Sequence, residues 1–65
     1  MAEKKSITEA REYAAQQSRL YPGLTFWVMD KPRKHAVVVG QDWIYRERVL
    51  EGWRCICKYR DGKTA

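Results

Sequence analysis

Histidine occurs once in this 65-residue chain, phenylalanine once, and cysteine and proline twice each. Each scarcity excludes something. A structural zinc site needs about four converging thiolates or imidazoles, and Cys55, Cys57 and His35 supply too few. Alternate residues on a flat strand are about 6.6 Å apart, poor geometry for chelation or for a relaxed disulfide. The C-x-C therefore reads as two free thiols on one buried strand face, and no metal or cofactor is expected. No apolar run approaches the roughly 18 residues of a membrane span. The N-terminal MAEKKSITEA is charged and lacks an apolar leader core, which points to a cytoplasmic protein. Repeats and low-complexity tracts are absent. So are a GXXG loop and the aromatic-glycine signature of RNA-recognition strands, so no motif names an activity.

What is plentiful is aromatic area and positive charge. Three Trp and four Tyr supply large rings for a chain that makes one small domain, 1–65. The formal net charge is +5, and its distribution is lopsided. Residues 1–30 hold four basic and four acidic side chains, whereas residues 31–65 hold nine basic against four acidic. Such asymmetry suits an anionic partner such as nucleic acid, an acidic protein or a membrane surface, of which nucleic acid or an acidic protein is expected and a membrane is not.

The segment SITEAREYAAQQSRLYPG predicts a helix over about 6–21. Ser6 and Glu9 have capping-box spacing, and Pro22-Gly23 ends the segment. Ile7, Ala10, Tyr13, Ala14, Gln17, Leu20 and Tyr21 form its apolar stripe. Beyond Leu24 the pattern alternates. Strands are expected at about 24–29, 35–39, 43–49 and 53–59, joined by turns at DKPRK, GQD and LEG. The fold class is α+β: the N-terminal helix packs on one face of a three- to four-stranded antiparallel meander. A small SH3-like barrel with an N-terminal helix satisfies the same strand count.

Register sets the faces. With Gly52 in the left-handed position of a three-residue hairpin loop, Trp43, Tyr45, Glu47 and Val49 align with Trp53, Cys55, Cys57 and Tyr59. Leu24, Phe26 and Val28 join that core. Arg46 and Arg48 then share the other face with Arg54, Ile56 and Lys58, and Trp27 and Met29 lie there too. His35, Glu47 and Cys55 fall on one row of the buried face, but Glu47 keeps the thiol from the imidazole, so the chain reads as non-enzymatic. The basic face is the candidate site. Arg48 opposite Arg54 is a like-charge pair that an anion would relieve. Trp27, Arg46, Arg48, Arg54 and Lys58, with Arg33 and Lys34 from the KPRK loop, are the expected nucleic-acid contacts, to single strands or to backbone phosphates. The alternative is protein–protein interaction or homodimerisation through the same face.

Overall fold

A computed structural model describes residues 6–65. The first five residues, on which the reading of a charged N-terminus partly rests, lie outside the described residues. Six elements follow in order: α1 (Ile7–Leu20), β1 (Thr25–Asp30), β2 (Val37–Val39), α2 (Asp42–Leu50), β3 (Arg54–Arg60) and β4 (Lys63–Thr64). The α+β class holds, with the N-terminal helix packed against an open antiparallel sheet. The barrel does not form.

The start of α1 is built as its sequence indicates. Ser6 Oγ accepts from the Glu9 N–H at 3.1 Å, and Glu9 Oε1 accepts from the Ser6 N–H at 3.0 Å. The buried seam of the helix is its small residues, Ala10, Ala14 and Ser18. Ile7, Tyr13, Leu20 and Tyr21 of the expected apolar stripe are exposed instead. Small side chains bring α1 close to the sheet, where Ala10, Ala14, Val28 and Ala36 form a buried cluster flanked by Phe26, Val38, Ile56, Cys57 and Tyr59. Ser18 carries the one polar atom in that seam and satisfies it twice. Its Oγ donates to the Ala15 carbonyl at 2.8 Å and accepts from the Gly62 N–H at 2.8 Å.

The strand order is β2-β1-β3-β4, not a continuous meander. After the β1–β2 hairpin the chain crosses to the far side of β1, and the crossover is α2. The segment expected as a strand at 43–49 is thus a helix. Several observations account for it. Asp42 and Arg46 form an i,i+4 ion pair at 2.9 Å. At the C-terminus, Gly52 takes φ +97, its N–H donates to the Val49 carbonyl, and the Trp53 N–H donates to the Arg48 carbonyl at 2.9 Å. That pair of bonds is the left-handed helix cap that glycine favours. The left-handed glycine was legible; whether it closes a hairpin or a helix was not.

A second reason is burial. Cross-strand pairing puts Trp27 beside Val39 and Met29 beside Val37, on the face that α1 leaves open. Met29 and Val39 are nevertheless buried. The covering element is α2, whose Tyr45 ring stacks on Trp27 with centroids 4.7 Å apart. A meander with one helix would have left this apolar surface in water.

The register of β3 contains a bulge. Val28 pairs with Cys57 and Met29 with Cys55, so Ile56 is the extra residue. Cys57 and Tyr59 turn toward α1 as expected. Cys55 does not: it lies on the α2 side with Met29 and is exposed. The chain then makes a turn through Asp61 and Gly62, both at positive φ, into β4.

A candidate anion-binding surface

The expected basic cluster is dispersed by the crossover helix. Arg46 and Arg48 lie on α2, while Arg54 opens β3, so Arg48 and Arg54 are not cross-strand neighbours. Each has its own carboxylate. Arg46 pairs with Asp42, and Arg48 with Glu51 at 3.6 Å. Arg54 grips Asp30 through two hydrogen bonds of 3.2 Å, a fork that fixes the guanidinium plane. The guanidinium of Arg48 also lies 5.3 Å from the centroid of Trp53. Each of these arginines thus has a carboxylate of its own chain nearby, in ion pairs whose guanidinium side stays largely exposed.

Trp27 is likewise engaged. It is half-buried, and Tyr45 occupies one of its faces. Arg33 and Lys34 are exposed in the β1–β2 loop, where Lys31, Pro32, Arg33 and Lys34 form a turn closed by Lys34 N–H to Lys31 carbonyl at 2.9 Å. Arg33 holds φ +67 there, an unusual conformation for a side chain of its size.

Of the basic residues expected on the sheet face, Lys58 has no ion pair among the described residues. It pairs across from Trp27, which places it on the face opposite α1. Two residues on, Arg60 points the same way and pairs across from Thr25. On its other side Arg60 stands directly opposite Lys63 of β4. Among the described residues, none of Lys58, Arg60 and Lys63 has a carboxylate within ion-pairing distance. The one acidic residue in this turn, Asp61, directs its Oδ1 to the Gly23 N–H at 3.1 Å. Three cations therefore share one exposed corner of the sheet. Arg60 and Lys63 were missed as site residues because β4 was missed. The Asp61-Gly62 dipeptide between them is a strong hairpin signal and was the available clue.

The KPRK loop and this corner sit at opposite ends of β1. Asp30, beside the loop, pairs with Arg54, and Thr25 pairs with Arg60. Five residue steps separate them, about 17 Å of strand. Lys58 lies between the two ends.

The cysteines do not converge. Cys55 Sγ donates weakly to the Cys57 carbonyl at 3.6 Å, and partial desolvation of this largely exposed thiol pushes it up, with Cys57 adding to it. On the other face, a hydrogen bond to the Cys57 side chain raises the Arg11 guanidinium. Among the described residues no group of three or more His, Cys, Asp or Glu side chains is placed to hold a metal ion. The His35–Glu47–Cys55 row does not exist, because Glu47 is on α2. A shallow groove of about 290 Å³ runs along that helix, lined by Trp43, Ile44, Glu47, Arg48 and Glu51. No helix among the described residues is long and apolar enough to cross a membrane.

No protein-family model matches the chain, and neither a curated protein nor a solved structure shows significant similarity to it.

Proposed function

We propose that this chain is a small basic binding module that contacts nucleic acid along its phosphate backbone. Lys58, Arg60 and Lys63 provide the primary contacts, and Arg33 and Lys34 a second point of attachment. The observation that carries the reading is Arg60 directly opposite Lys63, with Lys58 on the same face and no carboxylate paired to any of them among the described residues. Like charges directly opposed destabilise a sheet, and an anion between them reverses the sign of that contribution. Phosphate is bound well by clustered Arg and Lys, and such contacts position a strand without reading its sequence.

The aromatic contribution is smaller than the sequence implies, because Tyr45 already covers one face of Trp27. Backbone contact, which needs no exposed ring, is favoured over a stacking platform. An acidic protein would address the same cations. Binding of short oligonucleotides at increasing salt separates the two. The three primary contacts alone give a slope of log K against log salt of about −2 on a single strand and about −2.7 on a duplex, and all five contacts about −3.5 and about −4.5. A chain that ignores both oligonucleotides at low salt is not a nucleic-acid binder, and the acidic protein then replaces nucleic acid as the partner.

A further inference from the structure

The outward side of α2 carries large apolar side chains that the rest of the protein leaves uncovered. Ile44, Tyr45 and Arg48 are half-buried, and Tyr45 stacks on Trp27 of the sheet. Trp43 and Leu50 are 60% and 87% exposed. At 100° per residue, Trp43 and Leu50 fall within about 20° of each other on the helical wheel and about 10 Å apart along the axis. They form one stripe pointing away from the protein. Arg46 borders the stripe on one side and Glu47 on the other, and all four residues lie in a sector of about 100°. Glu47 has no ion-pair partner among the described residues. A helix in a small domain normally leaves only polar residues on this side.

We propose that this stripe is a homodimerisation surface, occupied by α2 of a second copy of the chain lying parallel to the first. The charges choose both the occupant and the orientation. When two such helices lie side by side and parallel about a two-fold axis, each flank brings Arg46 against the partner subunit's Glu47. The axis places Trp43 on its own symmetry mate and Leu50 on its own, closing the apolar stripe. The antiparallel arrangement keeps the apolar contact but sets Arg46 against the partner subunit's Arg46 and Glu47 against the partner subunit's Glu47. That repulsion selects against it. Arg46 keeps Asp42 as a neighbour in either state. The groove along α2 shares Trp43 and Glu47 with the stripe, so the surface offers relief as well as apolar area. A single short helix buries less than the roughly 1,000 Å² of a stable interface, which places the dimer in the weak, concentration-dependent class. The surface shares no residue with the basic corner, and dimerisation doubles the number of phosphate contacts without using any of them.

Sedimentation equilibrium from micromolar to submillimolar protein, in moderate salt to screen the net charge, tests the pairing. Wild type should shift from monomer to dimer mass across that range. Arg46→Glu and Glu47→Arg should each remain monomeric, with circular dichroism matching wild type. An equimolar mixture of the two variants should dimerise again, because every flank then pairs unlike charges. The double swap carrying both substitutions should dimerise as wild type does. A monomeric wild type at the highest concentration overturns the proposal. Dimers that persist in both single variants, or monomeric variants whose mixture stays monomeric, overturn it equally.

Discussion

Arg48 and Trp53 are joined twice across the end of α2. The Trp53 N–H donates to the Arg48 carbonyl at 2.9 Å, and the Arg48 guanidinium lies 5.3 Å from the Trp53 ring centroid. The backbone bond closes the helix, and the ring contact occupies the place where two apolar side chains often meet at such a cap. Gly52 makes the geometry possible at φ +97, with no backbone close to where a Cβ would stand.

Gly52→Ala should therefore act through backbone strain rather than collision. A left-handed alanine costs about 1–2 kcal/mol, part of it offset by the lower entropy of the unfolded chain. Chemical denaturation should show a loss of about 1 kcal/mol. An unchanged midpoint would mean that the segment does not end in this cap.

Met29 tests whether α2 covers the sheet. It is fully buried on the side away from α1. Met29→Ala should cost about 2–5 kcal/mol, as for other fully buried large side chains. A loss below about 0.5 kcal/mol, the size typical of surface positions, would expose that face and detach α2 from it.

Arg33 separates binding from folding. Its positive φ is strained, and its side chain projects from an exposed turn. Arg33→Gly should leave stability unchanged or raise it by up to about 1 kcal/mol, because glycine accepts the conformation. The same change should weaken oligonucleotide binding severalfold. Unaltered affinity in a folded variant would remove the KPRK loop from the interface.

The thiol and phenol of β3 predict a response to alkali. Partial desolvation pushes both Cys55 and Tyr59 up, and Cys57 adds to each. A folded-state pKa above the unfolded value means that stability is complete below the ordinary thiol range and is lost as pH rises through it. From about pH 8.5 upward, wild type should lose melting temperature relative to Cys55→Ser, which has no thiol to ionise. Parallel pH profiles for the two proteins would contradict this assignment.

The sequence disclosed most of what local chemistry controls. Ser6 and Glu9 marked the start of α1, and the alternation at Phe26 and Val28 marked the α1-facing side of β1. The failures share a cause. Trp43, Tyr45 and Val49 fit a strand by alternation, and Ile44, Tyr45 and Arg48 fit a helix by adjacency, so a nine-residue segment carries both patterns. What decides is the apolar surface of Trp27, Met29 and Val39, which another element must cover. That choice is tertiary. Once α2 replaced a strand, the row of arginines opposite Arg54 vanished and the edge next to β3 became free for β4. The bulge at Ile56 is tertiary too, and it alone sends Cys55 to the opposite face from Cys57.

The most direct test of the binding account is the salt slope of Lys63→Gln measured beside wild type on one single-stranded oligonucleotide. Lys63 faces Arg60, so removing its charge relieves a repulsion in the free protein while deleting a phosphate contact in the complex. The account predicts a melting temperature equal to or above that of wild type, weaker binding, and a slope shallower by about 0.7. A variant with unchanged slope and affinity would contradict it, since the opposed cations would then not be where phosphate sits.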